Sequence, residues 1–306
     1  MASISAPAAP FNALVTNMCP SGRAIASPPR RLYITHVTAP DPLLVFDRGT
    51  LRRRRDRAAR RWQDHAFLKR EIAERLIERL DDVRRRFSLA LDLGCHGDEI
   101  AAALAGRDTV GRLIRSDIGL PFARAARGPA IVADEEALPF ASGSFDLVLS
   151  AMNLHWVNDL PGTLIQVARL LRPDGLFLAA MLGGETLWQL RQALAAAESE
   201  IEGGLSPRIS PFAELRDAAG LLQRAGFALP VADSETITVE YDNALALMRE
   251  LSAMGESNLI AERRRGLVAV ERERGAGQRR RAERAFVETG PRVGEAAAVA
   301  AGHLDI

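Results

Sequence analysis

Acidic residues placed where apolar runs give out are the chemistry-bearing feature of this chain. The stretch Ser88-Leu-Ala-Leu-Asp-Leu-Gly-Cys-His-Gly97 reads as a short buried strand with Asp92 at its end, then a glycine-bearing turn. A helical pattern from Asp98 to Ala105 follows at once. Strand, glycine turn and helix is how open α/β sheets hold a nucleotide-like ligand. Gly94 and Gly97 let the backbone approach such a ligand without a Cβ in the way. Asp117 stands 25 residues beyond Asp92, about where a ribose-binding acid stands in nucleotide folds. An ionised carboxylate there accepts charge-assisted hydrogen bonds from both ribose hydroxyls. Asp134-Glu135-Glu136 follows the next apolar run and suits an adenine amino group, while Asn153 and His155 follow the fourth. His155 is the candidate base or acceptor-orienting group; a histidine packed on Trp156 and bonded to backbone is the alternative. The lysine and Ser/Thr pair of a phosphate loop are missing, and carboxylates at these ends repel a pyrophosphate. A nucleoside with a cationic or zwitterionic group therefore suits the row better than NAD or ATP.

The elements that must position these residues alternate. Strands are expected at Leu89–Leu93, Arg112–Ser116, Ala130–Ala133, Phe145–Ser150 and Leu176–Met181. Helical stretches at Glu99–Ala105, Pro121–Ala126 and Pro161–Leu171 lie between them. Repeated β-α-β units make a parallel sheet with right-handed crossovers, whose ligands sit at the strands' carboxyl ends. Further helices are read to about Glu200, at Phe212–Ala225 and around Ala244–Met254. Two more strands, 227–233 and 235–241, are expected to finish the sheet as an antiparallel edge pair. The fold expected is α/β: a three-layer, doubly wound, seven-stranded, mostly parallel sheet with an N-terminal helical extension.

At 306 residues and 47% apolar content the chain can bury a large core. Its 40 basic and 39 acidic residues nearly cancel, so no strong field points to nucleic acid. Lys69 is the one lysine. Two cysteines, Cys19 and Cys95, cannot supply a four-thiolate zinc site or a disulfide scaffold, and no metal is expected. No apolar run approaches the ~20 residues of a membrane helix.

Residues 1–42 form an Ala-, Ser- and Pro-rich tail without an acid before Asp41. It reads as a disordered tail and a cytoplasmic protein, or as a transit peptide and a mitochondrial matrix protein. Residues 43–86 are helical and charged, with Ile72, Leu76, Leu80 and Val83 on one apolar face. The run Arg52–Arg55 lacks an aromatic platform, so it is expected to be a solvated helix face rather than a nucleic-acid surface. The segment could also serve as a lid over the cleft.

Several motifs carry a resemblance in their order. Leu91-Asp-Leu-Gly-Cys95, Ser116-Asp-Ile118, Ala133-Asp-Glu-Glu-Ala-Leu-Pro-Phe140, Ser144-Phe-Asp-Leu-Val-Leu-Ser150 and Arg169-Leu-Leu-Arg-Pro-Asp-Gly-Leu-Phe-Leu178 resemble class I S-adenosylmethionine-dependent methyltransferases. A narrower set resembles the arginine-hydroxylase assembly factor of respiratory complex I and the malonyl-carrier-protein O-methyltransferases. That set comprises Phe46-Asp-Arg48, Leu154-His-Trp-Val-Asn-Asp-Leu160, Gly183-Gly-Glu-Thr-Leu187, Ile209-Ser-Pro-Phe212 and Met254-Gly-Glu-Ser-Asn258. The resemblance implies a methyltransferase-like domain over 87–260 with S-adenosylmethionine as cofactor, held by Asp92, Gly94, Gly97, Asp117, Ile118, Asp134 and Glu135. It implies methyl transfer to a small-molecule or carrier-protein-bound acceptor, or hydroxylation of an arginine on a complex I subunit, or a non-catalytic assembly role. One departure stands out. The family writes its first motif Asp-x-Gly-x-Gly-x-Gly, and here His96 and Asp98 stand at the second and third glycines. A tolerated variant with the imidazole turned outward is the expectation, weakened cofactor binding the alternative. Asp159 is expected to cap the helix at Leu160, and Glu185 after the fifth strand has the same ambiguity between structure and catalysis. Residues 261–306 are atypical and read as a frame-shifted end or a basic tail, with the sheet complete before them.

Overall fold

The structure, a computed structural model, describes residues 3–5, 44–202, 204–263 and 297–303. Most of the tail expected at 1–42 and of the segment 261–306 lies outside the described residues.

Five parallel strands make the centre: β1 (Phe87–Leu93), β2 (Val110–Asp117), β3 (Ala130–Val132), β4 (Phe145–Ala151) and β5 (Leu171–Leu182). Their order is β3-β2-β1-β4-β5. The order reverses between β1 and β4, and a crevice at such a switch point is where open α/β sheets bind ligands. Besides the single turn Trp62–His65, the helices are α1 (Arg48–Ala58), α2 (Phe67–Glu78), α3 (Glu99–Ala103), α4 (Leu120–Ala125), α5 (Leu160–Leu170), α6 (Trp188–Glu202), α7 (Leu215–Arg224) and α8 (Ala244–Met254).

Near-continuous apolar sequence makes β4 and β5 central, because both faces of a parallel sheet are covered. Every residue of β4 is buried. Leu147, Leu149, Ala151, Leu176 and Leu178 pack into one core layer, and Val148, Phe177, Ala179 and Met181 into the other. The first layer is closed by Ile72, Ala73, Leu76 and Ile77 of α2, with Leu80 just beyond it. The second is closed by Leu164 and Val167 of α5 and Leu222 of α7. Each large side chain so buried contributes about 1.5–3 kcal/mol. The segment 43–86 is therefore one of the two helical layers, not only a cover. Val83, expected on the same apolar stripe, is only partly buried.

The outer strands differ from the expected edge pair. β6 (Ala228–Glu235) does not pair with the strand that follows it. β7 (Ala297–His303) runs antiparallel between β5 and β6. The short strand Thr238–Glu240 leaves the main sheet and pairs with Ser3–Ser5. Its alternation arises because Ile237 and Val239 bury into the α2 layer rather than onto a sheet neighbour. The sheet is thus not complete before residue 258. The Ala-Ala-Val-Ala-Ala-Gly-His run of β7 has no alternation of polar and apolar residues to announce a strand.

Candidate functional site

The turn after β1 is shaped by two left-handed residues, Gly94 at φ 75° and His96 at φ 53°. The backbone N–H groups of Gly94 and Cys95 both donate to the Ser116 carbonyl at 2.9 Å, which ties the turn to β2. Asp117 closes the latch. Its Oδ2 accepts from the His96 backbone N–H at 2.9 Å, and its Oδ1 accepts from the Gly119 N–H at 2.7 Å. Gly94 is required on two counts: its backbone conformation, and the Asn153 Cγ that a Cβ would meet at 2.0 Å. A Cβ on Gly97 would meet Glu99 Oε1 at 2.4 Å and Trp62 Nε1 at 2.7 Å.

The acids form one connected row, and arginines from α1 complete it. Arg55 donates to Asp117 Oδ2 at 3.2 Å and to Asn153 Oδ1 at 2.7 Å. Asn153 Nδ2 donates to Glu135 Oε1 at 3.0 Å. Arg48 donates to Glu135 Oε2 and, at 2.5 Å, to Asp134 Oδ1. Asp117, Glu135 and Arg55 are buried, with 0%, 1% and 2% of their surfaces exposed. Ile118 is buried beside them. The expectation that Arg52–Arg55 is a solvated face thus fails at its last residue. Arg52 and Arg53 are exposed, Arg54 donates to the carbonyls of Ser257 and Asn258, and Arg55 turns into the site. The signal was present: Arg55 follows Arg48 by seven residues, two helical turns, so the two share a face.

Asp92 stands apart. It is wholly buried and neither carboxylate oxygen has a hydrogen-bond partner. Burial pushes its carboxyl up to about 7, against the pull of the Lys69 ammonium. Lys69, also fully buried, donates to the Gly94 carbonyl at 2.6 Å and to His96 Nδ1. Burial lowers its pKa, with Asp92 opposing. The His96 ring is not turned outward. It is buried and stacked on Trp62 at 5.0 Å, and Trp62 donates to Glu99 Oε1 at 2.7 Å. Burial, then the positive charges of Arg55 and Lys69, hold the imidazole well below its usual pKa of 6.5. The indole platform explains how a histidine is accommodated where the family prefers glycine.

His155 lies on the turn Leu154–Trp156, just past β4. Its Nε2 is 3.0 Å from Glu256 Oε2, which also accepts from Trp156 Nε1 at 2.7 Å. Asp159 caps α5, accepting from the Gly162 N–H at 2.8 Å. Glu185 is exposed. Arg208 of the Gly/Pro loop is held by Glu198 at 2.7 Å.

The donor set suits a nucleoside that carries a cation. Fixed carboxylates stand at the ends of β2 and β3, a left-handed glycine turn ends β1, and the buried Asp92 oxygens have no partner. Arg48 is paired with Asp134 and Glu135, and Arg55 with Asp117. An open cleft of about 850 Å³ lies elsewhere, lined by Arg70, Asp98, Arg115 and Arg127. It touches none of these row residues.

Known proteins bear on this geometry. A family model described as "Methyltransferase domain" matches residues 91–179, which span the glycine turn through β5. The arginine-hydroxylase NDUFAF5, mitochondrial, of Homo sapiens is 44% identical over 234 residues, 74% of this chain and 68% of that protein. The Mus musculus counterpart is 45% identical, with 66% of its length covered. The malonyl-[acyl-carrier protein] O-methyltransferase of Methylovorus sp. (strain MP688) is 36% identical over 73% of this chain and 78% of that protein. Among solved structures, a chain from the complex of the Haloferax volcanii Trm112 methyltransferase activator with a methyltransferase superposes with a TM-score of 0.51. It does so at 17% identity, over 84% of this chain and 98% of that one, a likeness of fold alone. The turn, the acid row and these relatives together place the chain in the S-adenosylmethionine-dependent methyltransferase family, in the group that holds arginine-hydroxylase NDUFAF5 and the malonyl-carrier-protein O-methyltransferases.

Proposed function

We propose that this chain binds S-adenosylmethionine at the carboxyl ends of β1, β2 and β3 and methylates a small-molecule or carrier-bound acceptor. The observation that carries the reading is the Asp117 latch: the carboxylate suited to ribose is fixed by the His96 N–H of the glycine turn and by the Gly119 N–H of its own loop. Asp117 would take the ribose hydroxyls in place of the Arg55 guanidinium. Asp134 and Glu135 lie toward the base, Gly94, Gly97 and Asp92 toward the amino-acid end, and Ile118 supplies apolar contact. When bound, the cofactor supplies an electrophilic methyl group on a sulfonium. The chain's own task is to orient the acceptor and keep water out. Leu51, Trp62 and Trp156, all buried around the row, serve the second need. His155 is the residue to orient the acceptor or hold its proton. The domain bounds 87–260 and the seven-stranded form of the sheet, with β7 and β6 as its outer strands, belong to this reading. So does a cytoplasmic location, with the mitochondrial matrix as the alternative that relatives named mitochondrial favour. Among the described residues no helix is long and apolar enough to cross a membrane.

A second reading is hydroxylation of an arginine on a protein client such as a complex I subunit. One feature favours it besides the relatives' name: the site already seats a guanidinium, that of Arg55, between Asp117 and Asn153. Calorimetry with S-adenosylmethionine tests the shared premise. Micromolar binding that weakens at least tenfold in Asp117→Asn is expected, and no binding at millimolar ligand would sink both readings. Methyl transfer to malonyl carrier protein then supports the first reading. An added oxygen on a client arginine, read by mass spectrometry, supports the second.

A further inference from the structure

The open cleft apart from the acid row gathers three guanidinium groups from three separate elements. Arg70 comes from α2, Arg115 from β2, and Arg127 from the loop just beyond α4. At about 850 Å³ the cleft falls within the size range of small-ligand sites. Arg70 and Arg127 are exposed, as arginines usually are. Arg115 is different: only 6% of its surface is exposed, although it lines the cleft.

Arg115 has a built seat. Its backbone N–H donates to the Pro129 carbonyl at 3.0 Å, which ties β2 to the loop that carries Arg127. Its guanidinium lies beside Gly128, left-handed at φ 123°, where a Cβ would stand 3.0 Å from Nη1. Asp98 spans both parts: Oδ1 is 3.0 Å from Arg115 Nε, and Oδ2 accepts from the Arg127 backbone N–H at 3.3 Å. The contact with Arg115 is an ion pair without an aligned hydrogen bond, so Nε and Oδ1 are both buried without a hydrogen-bond partner. Among the described residues Asp98 is the one ion-pair partner of Arg115, and the Arg70 and Arg127 side chains have none.

A guanidinium carries five N–H donors and no acceptor, and burying it without hydrogen bonds is costly. Its planar fork matches the oxygens of a phosphate or carboxylate in pairs. Geometry chooses between the two: three guanidinium groups line the space, and a phosphate monoester offers three terminal oxygens where a carboxylate offers two. The acids of the lining are Asp98 and Glu99, and Glu99 Oε1 accepts from Trp62 Nε1 at 2.7 Å. Ala101, Ala102 and Ala105 add an apolar wall along α3 and its end. Alanines without an aromatic platform suit an aliphatic body better than a nucleobase.

We propose that this cleft is a second ligand site, for a phosphate monoester with an aliphatic body. Arg115 takes two phosphate oxygens, Arg70 and Arg127 hold the group at the mouth, and the alanines carry the body. The site stands independently of the methyltransferase reading.

Titrating the full chain at constant ionic strength tests this, read by the arginine Nε–H signals in NMR. Inorganic phosphate and butyl phosphate are the probes, and chloride controls for screening. A saturable shift of the Arg115 signal at millimolar phosphate is expected, with butyl phosphate binding several-fold tighter. Arg70→Gln and Arg127→Gln, at exposed positions, should each weaken butyl phosphate about fivefold. Arg115→Lys keeps the charge but loses the fork, and should weaken it about tenfold. S-adenosylmethionine binding by calorimetry should stay within about threefold in Arg70→Gln and Arg127→Gln. No saturation beyond the chloride control, or unchanged affinity in the Arg70→Gln, Arg127→Gln double variant, overturns the site. Butyl phosphate binding no tighter than inorganic phosphate overturns the ester class. Displacement of the probe by S-adenosylmethionine makes the cleft part of the cofactor site and overturns a second one. A wild type that binds butyl phosphate but not S-adenosylmethionine overturns the functional reading and upholds the cleft.

Discussion

Asp92 and Asp117 stand at the ends of neighbouring parallel strands and have opposite surroundings. Asp117 accepts two backbone N–H groups and an arginine. Asp92, one strand away, has no donor on either oxygen. Both are wholly buried, so burial alone does not separate them. Direction does. The end of β2 faces the glycine turn and α1, whose N–H and guanidinium groups converge on it. Asp92 lies one residue short of the end of β1, beneath its turn, where Lys69 spends its hydrogen bonds on Gly94 and His96. A carboxylate is stabilised by the donors aimed at it, and a buried one without donors takes up a proton instead.

The largest effect should come from Asp117→Ala. It strands the buried Arg55 charge and removes the acceptor of two backbone N–H groups. A loss of about 3–5 kcal/mol is expected from urea unfolding. Asp92→Ala should cost clearly less, and equal losses would erase the contrast between the two ends.

Asp92 makes a pH prediction with a definite sign. Its folded pKa, about 7, lies above the ordinary 3.8, so the folded protein holds a proton that the unfolded chain has lost. Its contribution to stability therefore falls as pH rises from about 4 to about 7, by an amount on the order of 4 kcal/mol. His96 gives the opposite slope below pH 6.5, because it is held neutral in the fold. The difference between wild type and Asp92→Asn, measured by denaturation at several pH values, isolates the carboxyl. It should shrink toward low pH and grow toward neutrality, and a flat difference would refute the assignment.

Smaller effects sharpen the picture at the edges of the site. Trp62→Phe removes the donor to Glu99 Oε1 and leaves a buried carboxylate whose Oε2 already lacks a partner. A loss of about 1–3 kcal/mol is expected in thermal or urea unfolding. Asp47→Ala removes the N-cap of α1, where Asp47 Oδ1 accepts from the Thr50 N–H at 2.8 Å. That should cost about 1 kcal/mol. Burial raises the Asp47 carboxyl, but hydrogen bonds from Thr50 and Arg263 outweigh it and hold it at about 2. The cap's contribution is thus present above pH 3.8 and fades as pH falls toward 2, a dependence that Asp47→Ala should lack.

The parallel core was legible because its signals are local. The apolar runs of β1, β4 and β5 mark strands buried on both faces, and the amphipathic stripe Ile72, Leu76, Leu80 marks α2. Asp159 was legible as a cap because an acid before a helix start has one short-range partner. Arg55 was not, because a row of four arginines looks alike in sequence and only packing turns one inward. Glu256 was visible within its motif, but its partner lies 101 residues away on a different element. The antiparallel slot of Ala297–His303 was invisible because hydrogen-bond partners, not side-chain pattern, create it.

By itself the sequence determined the β-α alternation, the glycine turn, and the acids that stand at Asp117, Asp134 and Glu135. These follow from periodicity and backbone freedom, which act over a few residues. The tertiary structure alone decided which charges meet. It paired Arg55 with Asp117 and Arg48 with Glu135, left Asp92 without a donor, laid His96 against Trp62, and set Glu256 behind His155. The reason is range: a buried charge is settled by whatever donors packing brings within about 3 Å, and sequence spacing does not encode that distance.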